Sequence, residues 1–254
     1  MALLIAVLGL VIGSFLNVVI YRLRTEEKGH RSRSMCPECN AVLRPSELVP
    51  VFSFIFLKGR CRNCSKPISW QYPLVELSTS LLFVAAFLRH TGVAELEPAS
   101  LHMFLRDAFF ITLLTVVFVI DLRDMVVFDA VTIPGALIAL VINLIMGVPL
   151  MGLLLAIAIG GGFFLLQWVI SRGRWIGGGD VRIGAMMGAM LGFPGVVMAL
   201  LLAYIVGAVV AVALLSAKKT TWSSQMAFGT FLSFATVIVL LWGDRIWAVY
   251  GSFL

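Results

Sequence analysis

Most of this chain is hydrocarbon-like, and its apolar residues run in blocks separated by short polar or Gly/Pro-containing joints. About 20 helical residues cross the hydrocarbon core of a bilayer, and shorter runs suffice when packed inside a bundle. The blocks therefore predict membrane helices near residues 2–21, 74–89, 103–122, 131–148, 150–171, 181–193, 195–216 and 227–249. Gly147-Val148-Pro149 and Gly192-Phe193-Pro194-Gly195 punctuate otherwise continuous runs. The sixth block is short enough for a half-helix. The expected fold class is an all-α polytopic membrane protein of about eight transmembrane helices, divided into a first helix (1–21), a loop (22–73) and a helical core (74–254). That loop is the one sizeable polar stretch, and it is too small to hold a hydrophobic core comfortably without a staple.

Composition agrees. Hydrophobic residues make up 61% of the 254 residues and charged residues 13%, and the mean hydropathy is +1.04. An average soluble domain has about a quarter of its residues charged. The net charge of +6 could suggest nucleic acid, but in a membrane protein basic residues first report orientation. Placing the loop inside puts its basic residues, Lys28 and Arg31 among them, in the cytosol with Arg123, Arg172, Arg174, Arg182, Lys218 and Lys219. Only Arg89, Arg106 and Arg245 stay outside, a split of 16 to 3 that leaves little need for a nucleic-acid partner. The first block has no basic residue ahead of it and Tyr21-Arg22-Leu23-Arg24 behind it, the reverse of a signal peptide's charge order. It is expected to stay in the protein, with both termini outside.

An ionisable group in such a chain needs a reason. Trp175-Ile176-Gly177-Gly178-Gly179-Asp180 delivers one acid to the mouth of the sixth block, on a backbone that three glycines leave open to close approach. Acids at a membrane boundary are functional candidates with a nearby partner; the bland reading is a helix cap. The partner candidates are Asp121, Asp124 and Asp129. Asp121 ends the apolar run Val116 to Ile120 and is expected to be the most desolvated. Asp124 suits a solvated boundary cluster with Arg123, and Asp129 suits an N-cap. Two carboxylates meeting across a small gap cannot both ionise, so a pair holding one proton can polarise a peptide carbonyl and activate water. Asp121 and Asp180 are the favoured pair.

All four cysteines lie in the loop, as Cys36-Pro37-Glu38-Cys39 and, after 21 residues, Cys61-Arg62-Asn63-Cys64. Two such turns supply the four thiolates of a closed tetrahedral zinc site, one residue beyond the usual ribbon spacing. With every position filled by Cys36, Cys39, Cys61 and Cys64, the metal is expected to fold the loop rather than to catalyse; free or redox-active thiols are the alternative. Asn17, Glu76, Asn143 and Gln167 suit hydrogen bonds between helices, Glu76 being costly unless paired. His30, His90 and His102 show no ligand spacing and fall in loops or at boundaries.

Taken together, the residues resemble the type IV prepilin peptidases. The likeness is carried by Gly13-Ser14-Phe15-Leu16-Asn17-Val18-Val19-Ile20-Tyr21-Arg22-Leu23, both cysteine turns and Ile68-Ser69-Trp70-Gln71-Tyr72-Pro73-Leu74-Val75-Glu76. Ile120-Asp121, Gly177-Gly178-Gly179-Asp180 and Phe228-Gly229-Thr230-Phe231-Leu232 complete it. The resemblance implies a bifunctional enzyme of the bacterial inner membrane. It would cleave the basic leader from prepilins or pseudopilins on the cytosolic side, then methylate the new N-terminus with S-adenosylmethionine. The family's catalytic aspartates fall on Asp121 and Asp180, making 74–254 the peptidase core, and its zinc-associated cysteines fall on the four named above. The residues carry no recognisable fingerprint for S-adenosylmethionine, so methyl transfer rests on the resemblance alone. Val127-Phe128 replaces a common Leu-Pro, Arg182 a common Lys, and Thr230 a usual Pro; none removes an acid or thiolate.

Two rival classes fit parts of the pattern. In a zinc-ribbon membrane scaffold or assembly protein the acids would only cap helices. In an ion or solute carrier, broken helices with acids mark a transport site, but those acids belong near mid-bilayer, whereas here they cluster at the cytosolic end.

Overall fold

The computed structural model describes residues 1–25, 33–91, 98–218 and 226–251; Lys28, His30, Arg31 and Lys219 lie outside them. The described chain is helical: α1 (Ala2–Thr25), α2 (Phe52–Phe56), α3 (Gln71–Thr91), α4 (Pro98–Asp124), α5 (Asp129–Ile145), α6 (Leu150–Ser171), α7 (Gly178–Leu191), α8 (Gly195–Ser216) and α9 (Phe228–Gly251). Apart from the short α2, these helices fall on the eight predicted blocks. Six of them, α1, α3, α4, α6, α8 and α9, are long and apolar enough to cross a membrane. The apolar α5 has 17 residues, and α7, with 14, is the shortest of the helices that fall on the blocks. The chain divides into two compact units, Met1–Val116 and Val117–Leu254, with the boundary inside α4.

Hydrophobicity cannot drive helix association where the solvent is itself apolar, so small residues and hydrogen bonds must. In the first unit α1 lies on α3 along Gly9 and Gly13: a Cβ at Gly9 would stand 2.5 Å from the Ser80 Cα, and one at Gly13 2.7 Å from the Glu76 Cα. Polar bonds run beside this seam. Gln71 Nε2 donates to Asn17 Oδ1 (3.2 Å), Asn17 Nδ2 to the Tyr72 carbonyl (3.1 Å) and the Ser80 hydroxyl to the Ala6 carbonyl (2.8 Å). Phe104 of α4 packs edge-on against Phe83 and Phe87 of α3. His90 belongs to the last turn of α3, where it pairs with the fully buried Asp107 at 2.7 Å; Arg106 holds the other oxygen of that carboxylate.

The second unit is built round α7, which is buried at Ile183, Gly184, Met186, Met187, Gly188, Ala189 and Met190 and packs on α5, α6, α8 and α9. A helix buried on nearly every face needs no amphipathic stripe. Its seam with α6 is backbone on backbone: a Cβ on Gly160 would overlap the Gly184 carbonyl, and one on Gly188 the Ala156 carbonyl. Asn143 of α5 donates to the Ala189 and Met190 carbonyls (2.7 and 3.1 Å). Gln167 of α6 meets the Tyr204 hydroxyl of α8 at 3.1 Å. Asn17, Asn143 and Gln167 thus make the interhelical bonds expected of them.

Candidate active site and metal centre

Asp121 sits in the last turn of α4, on the second unit's side of the boundary, and is 4% exposed. Its Oδ2 accepts two hydrogen bonds from Thr230, one from the N–H at 2.6 Å and one from the hydroxyl at 3.0 Å. Thr230 lies in the first turn of α9, where backbone N–H groups have no helical acceptor and the helix dipole favours an anion. A proline, usual at this position in the resembled family, would lack that N–H. Gly229 makes the approach possible: a Cβ there would lie 2.9 Å from Asp121 Oδ2 and 2.6 Å from Ile183 Cδ1.

Asp180 is the third residue of α7, one turn before Ile183, and is 9% exposed. Its Oδ2 accepts the Gly177 N–H at 3.2 Å, so it does close the helix N-terminus, from inside the first turn. Asp121 and Asp180 are near enough for their charges to interact. Each carboxylate therefore has one oxygen, Oδ2, held by the protein. Oδ1 of each has no hydrogen-bond partner among the described residues.

The three glycines before Asp180 differ in use. A side chain at Gly178 would meet open space, whereas one at Gly179 would strike Val127 at 2.6 Å. The room at Gly179 is filled by the chain's own segment after α4, so only the earlier part of the run is open to another peptide.

Of the other acids, Asp124 is exposed. Asp129 corrects the capping expectation: Phe128 occupies the N-cap, Asp129 is the first helical residue, and its carboxylate pairs with Arg182 of α7 instead. Sequence reasoning passed over Thr230 as the partner of Asp121; a threonine in the first turn after a glycine was the available signal.

The four cysteine sulfurs lie within 4.8 Å of one another, with Cys36 and Cys64 Sγ 4.0 Å apart. Zinc–sulfur bonds of about 2.3 Å in a tetrahedron require sulfurs about 3.8 Å apart, so the cluster fits a zinc ion after a small contraction. Both turns are built alike. Cys36 N–H donates to the Ala41 carbonyl while its own carbonyl accepts from Asn40; Cys61 N–H donates to the Lys66 carbonyl while its carbonyl accepts from Ser65. Asn40 and Ser65 are left-handed (φ 55° and 59°), and an isolated bridge closes each turn, Met35 with Val42 and Arg60 with Pro67. Asn63 donates to Cys39 Sγ at 3.5 Å and brings that thiol down to about 6. Backbone N–H groups of Cys64 and Asn63 lower Cys61, whereas burial raises Cys36.

Glu76, 6% exposed in α3, is paired: its Oε2 accepts the Val51 N–H at 2.7 Å, and Ser14 of α1 lies beside it. This carboxylate joins the cysteine loop to the α1–α3 pair.

A helical membrane chain with a buried acid in the last turn of one helix, another in the first turn of a second, and a four-thiol loop defines a narrow class. The model described as the Bacterial Peptidase A24 N-terminal domain matches residues 7–90, which hold all four cysteines, and that of the Type IV leader peptidase family matches residues 108–212, which hold Asp121 and Asp180. The chain belongs to the type IV leader peptidase family. It is 35% identical over 273 residues to the prepilin leader peptidase/N-methyltransferase of Aeromonas hydrophila, covering 96% of this chain and 91% of the relative. Proteins of the same name from Bacillus subtilis (strain 168) and Pseudomonas putida are 32% and 31% identical, each over 96% of this chain and over 95% and 92% of their own lengths. No solved structure matches.

Proposed function

We propose that this protein is an aspartyl endopeptidase that removes the basic leader of type IV prepilins or pseudopilins, with Asp121 and Asp180 as the catalytic pair. The reading is supported by Gly229, which has Asp121 on one side and Ile183, one turn after Asp180, on the other, and by the two buried carboxylates, each with one oxygen held and one open. Two short Thr230 bonds favour the negative charge on Asp121, where Asp180 has one longer bond. Asp180 then carries the shared proton. Water attacks the scissile carbonyl carbon, giving its proton to Asp121 Oδ1, while Asp180 protonates the carbonyl oxygen. When the C–N bond breaks, Asp121 passes its proton to the leaving nitrogen and Asp180 recovers one from the hydroxyl of the intermediate, restoring both residues.

A prepilin suits this site because its basic leader stays in water while its apolar segment enters the bilayer, so the junction stands at helix-end height. The family resemblance implies a bacterial inner-membrane location, and the charge distribution supports placing the pair at the cytosolic face with both termini outside. Residues 22–73 form the zinc-binding loop in this reading, and 74–254 the peptidase core. Cys36, Cys39, Cys61 and Cys64 would hold zinc as a fold-closing ion. Methylation of the new N-terminus from S-adenosylmethionine is supported by the name the relatives share. The test is to incubate purified protein with a prepilin, with and without the methyl donor, and follow substrate mass. Loss of the leader mass, then a gain of one methyl group only with the donor, is expected. An unchanged substrate would favour the scaffold.

A further inference from the structure

Between the two cysteine turns the chain carries apolar side chains that nothing in the first unit covers. Leu48, Val49, Phe52, Ile55 and Phe56 are all exposed, Ile55 at 63% and Phe56 at 81%. In water a cluster of this kind is unfavourable and marks a contact surface. The hairpin's orientation is set by the one ring that turns inward: Phe54 lies 4.8 Å from the Trp70 ring and covers Gly59.

Its depth is set by Glu76. Val51, the residue before α2, donates its N–H to a carboxylate on the sixth residue of α3, about 8 Å along the axis from Gln71. On α1 the neighbours of Glu76 are Gly13, packed on the Glu76 backbone, and Ser14, 11 residues inside the end of that helix. Both α1 and α3 are long and apolar enough to cross a membrane, so α2 is drawn alongside their membrane-entering turns. Val51 is held at φ +62° in a tight turn in which the Phe52 N–H reaches the Pro50 carbonyl at 2.6 Å. A β-branched residue stays in that conformation only where its surroundings hold it, and here the Glu76 bond does so.

We propose that the α2 hairpin is seated in the interfacial layer of the bilayer, with Phe52, Ile55 and Phe56 against lipid. The first two turns of α3 expose Leu74 and Leu77 at the same depth, so the hairpin's apolar face continues a lipid-facing one. Trp70 stands exposed where α3 begins, as interfacial tryptophans do. Lys58 and Arg60 follow α2 on the exposed side, a charge placement that complements anionic headgroups. The cysteine cluster would then fold a loop that lies on the membrane.

The test uses the full chain in nanodiscs of phosphatidylcholine and phosphatidylglycerol. Phe56→Trp is compared with the unsubstituted protein, and the added fluorescence is read with plain lipid, with lipid brominated high on the acyl chains, and with aqueous iodide. The expected result is a blue-shifted added signal, quenched at least about twofold by brominated lipid and little by iodide. Quenching by iodide alone would put the hairpin in water, and quenching by neither would mean that protein, such as a second copy, covers it; each overturns the proposal. Ile55→Trp reads the same surface if Phe56→Trp loses metal. No proteolysis enters the readout, so the outcome is independent of the peptidase reading.

Discussion

Thr230 holds one oxygen of Asp121 twice, through its N–H at 2.6 Å and its hydroxyl at 3.0 Å. The two residues are 109 positions apart in sequence. Hydrogen bonds to a carboxylate stabilise its charged form, and Asp121 accepts two where Asp180 accepts only the longer Gly177 bond, an inequality on which the proposed pair rests.

Thr230→Val keeps the N–H and removes the hydroxyl. A hydrogen bond to a charged group contributes about 1.5–3 kcal/mol, so kcat should fall about 10- to 100-fold with KM nearly unchanged. Thr230→Ser, which keeps both donors, should restore most of the rate. Steady-state cleavage of a prepilin peptide checks both. Equal rates in the valine variant and the unsubstituted protein would show that the hydroxyl does not position Asp121.

Asp121→Asn and Asp180→Asn should each lower cleavage at least about 1,000-fold while the protein still folds and keeps its metal. Asp124→Asn, on an exposed side chain, should retain most activity. In the proposed pair one proton is shared, so the rate should fall toward acid as the charged member is protonated and toward alkali as the other ionises. Full activity in Asp180→Asn would end the aspartyl reading, and loss in Asp124→Asn with activity in Asp121→Asn would move the pair by one turn.

One zinc per chain is expected on metal analysis of freshly purified protein. Structural zinc in small sites contributes ~10 kcal/mol or more of apparent binding energy, so Cys36→Ser or Cys61→Ser should unfold the loop rather than weaken it slightly. The thiolate forms bind metal. The Cys39 thiol, held down to about 6 by Asn63, takes up its proton as pH falls through that region, so metal retention should drop on acidification and not on mild alkalinisation. A disulfide between the turns would contradict the site.

The α6–α7 seam predicts a stability effect remote from the acids. A methyl at Gly184 would overlap the Gly160 carbonyl and press on the Phe164 ring at 2.7 Å, with backbone on one side that cannot yield. Gly184→Ala should cost about 1–3 kcal/mol, read as a lower midpoint of thermal unfolding in detergent. Gly152→Ala, which meets nothing within 4 Å, is the control.

The sequence by itself determined where the helices are, because helix hydrogen bonds are local and a run of about 20 apolar residues states its own length and solvent. The breaks between α5 and α6 and between α7 and α8, the short α7 and the paired cysteine turns were legible for the same reason. Burial at Asp121 was also readable, since the preceding residues are all apolar. Which groups meet was decided only by tertiary structure. Asp129 has the composition of a cap, yet α7 brings Arg182 beside it and the cap position passes to Phe128. Glu76 needed a partner that no spacing announced, and found it in a backbone N–H 25 residues away. Gly179 looked like room for a substrate until Val127 filled it. In a solvent of hydrocarbon tails, apolar pattern says little about which helix faces which. Backbone contact at glycines and a few long-range hydrogen bonds make that choice, and they brought Thr230 to Asp121.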